Sequence, residues 1–232
     1  MLLLSLDSTE ITATAAVTDG GKLLGQTVIR SGHTHSETLL PAIELLLKAA
    51  GLTCDDLDGF ACSVGPGSFT GVRIGVATVK GLAFGRGKPC YGVSATEAMA
   101  YPFVGVDGIV CAAMDARREQ LYNALFRVSG ETVTRLTPDR VIAAADLTEE
   151  LAASFAGEPI YPCGGGYEIL RAAAGPGLLR ETPRPLRYQT AFGVALAVEA
   201  GLAAGTLTAK TDETLSPLYL RPSQAERMKN GG

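Results

Sequence analysis

The chain has 232 residues, 47% of them hydrophobic and 19% charged, with a formal net charge of −4. This is enough apolar material for one large or two small packed domains, and it excludes a disordered chain. The acidic balance argues against a stand-alone nucleic-acid binder, because neutralising phosphates calls for an excess of Lys and Arg.

The late arginines Arg171, Arg180, Arg184, Arg187, Arg221 and Arg227 read as an ordinary solvated face. The cysteines Cys54, Cys62, Cys90, Cys111 and Cys163 are scattered and odd in number, with no C-x-x-C pair. That pattern fits a reducing compartment and argues against a disulfide framework or a zinc site. Met1 to Leu6 is apolar but stops at Asp7, without the basic flank and cleavage site of a signal peptide. No apolar run reaches the length of a bilayer crossing. The expectation is a cytoplasmic protein with no membrane attachment.

In chain order, Leu2–Asp7, Thr12–Val17 and Lys22–Ile29 predict a three-strand meander, with Asp19-Gly20-Gly21 as a hairpin turn. Leu39, Leu40, Ile43, Leu46, Leu47 and Ala50 recur at helical spacing and predict a helix over Ser36–Ala50. Thr34 and Glu37 have the spacing of a capping box, Pro41 predicts a kinked or late-starting first turn, and Gly51 ends the helix. Gly59–Val64 predicts a short buried strand. The loop Gly65–Gly71 then leads to a second helix over Val72–Gly85. Pro89–Val93 reads as a strand, and Ser94 caps a short helix through Met99. Pro102, Gly105 and Gly108 place a domain junction at Tyr101–Gly108.

Beyond the junction, strands are expected at Ile109–Asp115, Gln120–Arg127, Thr132–Leu136 and Ile160–Cys163. Helices are expected near Ala144–Phe155 and after Gly164-Gly165-Gly166. Gly175–Tyr188, with Pro176, Pro183 and Pro185, has no periodicity and reads as a loop, and Ala191–Ala204 reads as a helix. Each half opens with antiparallel strands and then adds helices, which suggests a duplicated unit. The expected division is an N-terminal lobe over 1–104, with a helix at 190–205 packing back on it, a C-terminal lobe over 105–189 and a tail over 206–232.

Asp7-Ser8-Thr9 falls at the first turn. A carboxylate beside hydroxyls can hold a metal-bound phosphate, and it can equally stabilise the turn. The loop Gly65–Gly71 enters a helix, where backbone N–H groups can cradle phosphate or simply form a turn. It is no Walker A loop, and Thr70 stands where a dinucleotide fingerprint needs its third glycine. In the second helix Gly71, Gly75, Thr78, Gly81 and Gly85 make one stripe of small residues. Each helical glycine costs about 1 kcal/mol relative to alanine, so the stripe calls for close approach of another backbone, this chain's own or a partner's. His33 and His35 are the only histidines, and at that spacing they do not share a helix face. No Gly-x-Ser-x-Gly elbow is present. Neither a metal site nor hydrolase chemistry is supported. Asp115-Ala116-Arg117-Arg118 lies between two strands of the second half much as Asp7 does in the first. Two acidic hairpin tips and the cluster Gly164–Gly166 match the α/β actin-like ATPase (ASKHA, ribonuclease H-like) fold, in which two related lobes grip a nucleotide.

The run Val64–Gly75, continuing to Lys80-Gly81-Leu82-Ala83, resembles the glycine-rich signature of the TsaB (YeaZ) family. His35-Ser36-Glu37 with Leu39-Leu40-Pro41, Met114–Arg117 with Tyr122, and Pro217–Pro222 resemble three further motifs of that family, so the likeness spans nearly the whole chain. The resemblance implies a non-catalytic scaffold subunit for making threonylcarbamoyladenosine in tRNAs that read codons beginning with A. It implies dimerisation with a catalytic paralogue, TsaD, which transfers the threonylcarbamoyl group made by a separate synthase. It also implies a small ATPase partner, TsaE, a homodimer, and tRNA reached only through the complex.

The paralogue's metal-binding His-x-x-x-His is missing here. No cofactor or metal of the chain's own is expected, with ATP or ADP and Mg²⁺ entering at the level of the complex. The family docks through its first two helices, and periodicity within them selects Glu37, Leu40, Ile43, Leu47, Gly75, Val79 and Leu82 as the partner interface. Asp7, Ser8, Thr9, Asp115 and Arg117 are the nucleotide-proximal candidates. Ser8 follows Asp7 where active actin-like ATPases carry glycine, which weakens nucleotide binding by this chain alone. The alternative is an enzyme, either a stand-alone actin-like phosphotransferase or a glycoprotease-like hydrolase.

Overall fold

The computed structural model describes residues 1–221; Pro222 of the C-terminal motif and Arg227 lie outside them. The first half folds in the order β1 (Leu2–Asp7), β2 (Ala13–Asp19), β3 (Lys22–Ile29), α1 (His35–Ala50), β4 (Gly59–Ser63), α2 (Phe69–Ala83), β5 (Cys90–Val93) and α3 (Ala95–Ala100). Its sheet has the order β3-β2-β1-β4-β5, with β1, β4 and β5 parallel and the meander β1-β2-β3 antiparallel. The second half runs β6 (Gly108–Asp115), β7 (Gln120–Ser129), β8 (Thr132–Arg135), β9 (Arg140–Ala143), α4 (Ala144–Ser154), β10 (Ile160–Cys163) and α5 (Tyr167–Ala173), and α6 (Ala191–Ala203) follows. Its sheet repeats the plan. An antiparallel meander, β6-β7-β8, is flanked by the parallel strand β10.

Strand alternation sends side chains to opposite faces, and the inner strands of both sheets are covered on both faces, while the edge strands β3 and β8 stay partly exposed. Leu4, Leu6, Val17, Phe60 and Cys62 pack under α1 and α2. Leu3, Ala61, Tyr91 and Val93 pack on Val194, Ala195 and Val198 of α6. In the second sheet Val110, Ala112, Met114 and Phe126 meet Ala95 and Met99 of α3, while Ile109, Cys111 and Leu125 meet Leu147, Leu151 and Leu170 of α4 and α5. Thus α3 and α6 lie between the sheets, with α1 and α2 outside the first and α4 and α5 outside the second. Leu215, beyond α6, returns to the first core. No helix among the described residues is long and apolar enough to cross a membrane.

Several boundaries differ from expectation. The helix α1 starts at His35 and continues through Pro41, with the Thr34 N–H donating to the Glu37 carboxylate at 3.3 Å. The helix α2 begins three residues early, because the Ser68 hydroxyl accepts the Gly71 N–H at 3.3 Å and draws Phe69, Thr70 and Gly71 into the first turn. The strand β9 was not expected. It is four half-buried residues long, and it pairs with Gln120–Asn123 of β7 where β8 has left that edge free.

Candidate functional site

A cleft of about 500 Å³ opens between the β1–β2 turn (Thr9–Ile11), the β4–α2 loop (Pro66–Thr70), the β6–β7 hairpin (Met114–Arg117), Gly165 and the C-terminal segment Leu218–Arg221. Asp7 ends β1 beneath it, fully buried. Its Oδ1 accepts the Thr9 N–H at 2.8 Å and the Thr9 hydroxyl at 2.7 Å, and its Oδ2 accepts the Ser63 hydroxyl at 2.5 Å. Burial pushes the Asp7 carboxyl up, against the pull of those hydrogen bonds. The Ser8 hydroxyl donates to the Gly71 carbonyl at 2.8 Å. A Cβ on Gly71 would stand 2.0 Å from the Ser8 carbonyl oxygen, and one on Gly75 would stand 2.8 Å from Ser8 Oγ. These two glycines of the stripe therefore let α2 settle onto the chain's own first turn. Gly81 and Gly85 face open space.

Glu10, which sequence reasoning passed over, reaches across the cleft. The Gly165 N–H lies 2.9 and 2.8 Å from its two carboxylate oxygens, and the Gln189 amide donates to it at 3.1 Å. Burial pushes its carboxyl up to about 8 in spite of the Gly165 bond, and the charges of Asp7 and Asp115 add to the rise. His35 Nε2 lies 2.5 Å from the Glu10 carbonyl and donates to it, pinning the turn from the N-terminus of α1. Opposite, Asp115 Oδ1 accepts the Arg117 N–H at 2.7 Å, and the Arg117 guanidinium is 3.4 Å from Oδ2. Arg117, Arg118 and Glu119 all have positive φ, so this hairpin tip is a strained turn. Among the described residues no cluster of three or more His, Cys, Asp or Glu could hold a metal ion.

A second concavity, about 530 Å³, lies between α1 and α2 and is lined by His35, Ser36, Leu39, Leu40, Ile74, Ala77, Thr78, Gly81 and Leu82. Here the expected interface residues divide. Leu40, 52% exposed, and half-buried Leu82 line the groove, and Glu37 is exposed but not part of its lining. Ile43 at 2%, Leu47 at 6% and Val79 at 0% exposure point into the first core, and Gly75 faces Ser8. Those four are taken up by this chain's own packing, in contrast to Leu40 and Leu82. One amphipathic stripe per helix goes to the sheet, and the neighbouring stripe lines the groove. The groove side of α2 is the stripe Ile74, Ala77, Thr78, Gly81, which takes Thr78 and Gly81 from the small-residue stripe and adds Ile74 and Ala77.

Two stacked lobes of this construction are the actin-like ATPase, ribonuclease H-like fold. A family profile described as TsaD, tRNA N6-adenosine threonylcarbamoyltransferase, matches residues 29–225. A Bacillus subtilis protein named tRNA threonylcarbamoyladenosine biosynthesis protein TsaB is 31% identical over 65% of this chain and 66% of its own length. An uncharacterized protein of Mycobacterium tuberculosis is 33% identical over 93% of this chain and 91% of its own. A Pseudomonas aeruginosa crystal structure described as similar to peptidase YeaZ superposes with a TM-score of 0.78 at 26% identity, over 95% of this chain and 99% of that one. The chain belongs to the TsaB (YeaZ) family, within the group that the threonylcarbamoyltransferase profile describes.

Proposed function

We propose that the chain is a non-catalytic scaffold subunit in the synthesis of threonylcarbamoyladenosine in tRNAs that read codons beginning with A. It docks through the α1–α2 groove onto a TsaD-type catalytic paralogue, with a TsaE-type ATPase joining them and tRNA reached only through the complex. The same groove serves a homodimer when the paralogue is absent. The observation that carries this reading is the groove itself, an open apolar channel built from helical positions left over after each helix has covered its sheet. Exposed apolar concavities of this kind mark interaction sites.

The cleft supports the non-catalytic half of the reading. Both Asp7 oxygens are already hydrogen-bonded by Thr9 and Ser63, and Glu10 and Asp115 add acidic groups beside them. Asp7 is fully buried and its carboxylate is committed to the turn, which leaves it no oxygen directed at a ligand in the cleft. ATP or ADP with Mg²⁺ therefore belongs to the assembled complex in this reading.

The test is co-purification with the catalytic paralogue. The wild-type chain forms a stoichiometric complex, and Leu40→Asp weakens it at least about 30-fold, as expected for a central apolar contact, while leaving the isolated chain folded. Threonylcarbamoyl transfer to tRNA by the lone chain, or an undiminished complex with Leu40→Asp, overturns the reading.

A further inference from the structure

We propose that the C-terminal segment Leu215–Arg221 is a strap that sets the separation of the two lobes across the cleft, with Arg221 as its latch. Its near end is fastened to α2. Lys80 Nζ donates to the carbonyls of Glu213 at 3.2 Å and Leu215 at 3.3 Å. Arg73 Nε donates to the Tyr219 hydroxyl at 2.8 Å, and the Arg73 guanidinium lies 3.9 Å from the Phe69 ring. The Phe69 and Tyr219 rings stack with centroids 4.7 Å apart. Arg73 and Lys80 are seven residues apart, so at about 100° per residue they share a helix face to within about 20°.

The backbone is fastened as well. The Leu218 N–H donates to the Val64 carbonyl at 2.7 Å. Gly65 at φ +120° leaves room for the strap, since a Cβ there would stand 2.4 Å from the Leu218 carbonyl oxygen.

Three residues later the segment has crossed to the other lobe. The Arg221 guanidinium donates to the Gln120 side chain at the start of β7, directly after the hairpin that carries Asp115 and Arg117. Three extended residues span about 10 Å, and Leu218–Arg221 forms one wall of the cleft along that path. The two anchorages are unequal. The first-lobe side combines a stack, a cation over a ring, three hydrogen bonds from α2 and one to the Val64 carbonyl, while the far side has the Arg221–Gln120 contact. Lobe separation therefore releases Arg221 first and leaves the strap on α2. A second tie, Glu10 to Gly165, crosses the same cleft at a place the strap does not touch, and it supplies an independent reporter. This inference goes beyond the scaffold reading and does not depend on it.

Hydrogen–deuterium exchange on the full chain tests it. Arg221→Ala and Tyr219→Ala should each raise the exchange rate of the peptide holding the Gly165 amide by about tenfold, the size expected for losing one charged hydrogen bond or one cation–ring contact. Arg221→Ala should leave Leu218 as protected as before, because the α2 anchorage remains. If acceleration in both variants stays within residues 217–221 and Gly165 is unmoved, the strap only decorates the surface and the proposal is overturned. Arg221→Ala removes a half-buried rim residue, so it decides the matter even if Tyr219→Ala fails to fold.

Discussion

Asp7 and Glu10 stand three residues apart at one cleft, yet their carboxylates are held in opposite ways. Asp7 is fixed inside its own lobe by Thr9 and Ser63. Glu10 is held by Gly165, 155 positions away. The first could be suspected from its place at a hairpin tip, whereas the second had no local signal, because its partner is brought near only by the stacking of the lobes. Glu10 titrates near 8 in the folded chain and at its ordinary 4.5 when unfolded. Folding thus takes up a proton between those values. The stability gained from neutral Glu10 is complete below the lower value and is lost as pH rises through the higher one. Glu10→Gln, which cannot titrate, should flatten that decline. Urea denaturation of both chains at about pH 5 and about pH 8.5 measures it, and an equal fall in both would refute the assignment.

The glycines of α2 allow a sharper residue-scale comparison. Gly71→Ala drives a Cβ into the Ser8 backbone and should destabilise the chain by about 3 kcal/mol. Gly81→Ala meets nothing and should stabilise the isolated chain by about 0.8 kcal/mol through helix propensity. Thermal melts of the two variants should move in opposite directions.

At the scale of elements, periodicity revealed α1 and α2 but not which stripe stays exposed. Periodicity offers the strongly apolar positions Ile43, Leu47 and Val79 equally to a partner and to the lobe's own sheet, and the sheet takes them. A single sequence records how apolar a face is, not what covers it. The short strand β9 was illegible for a related reason. Its pattern is half-buried throughout, and its pairing depends on β8 ending at Arg135. Ala77→Arg belongs to this scale. Ala77 is exposed and lines the groove, so the substitution should leave the melting temperature within about 2 °C, the range of ordinary surface changes, and abolish paralogue binding in calorimetry. A variant that binds normally would move the docking face elsewhere.

For the whole molecule, the repeated meander-then-helix order was legible, and so was the class of fold it builds. The strap was not, since Pro217–Arg221 carries no periodicity and its anchors, Arg73, Lys80 and Gln120, are set by tertiary placement. The Arg73-to-Lys80 spacing within the glycine-rich signature becomes intelligible only once the tail lies along α2.

The sandwiching of α6 between the sheets also bears on how the protein is made. Leu3, Ala61, Tyr91 and Val93 leave the ribosome before the second sheet is made, but Val194, Ala195 and Val198, which cover them, follow only after it. Until then the first lobe has one bare greasy side, and a chaperone would have to shield it or the nascent polypeptide would hold it unfinished. A chain stopped after residue 189 should therefore be recovered in the insoluble fraction, and supplying 190–221 as a separate peptide during refolding should return it to solution.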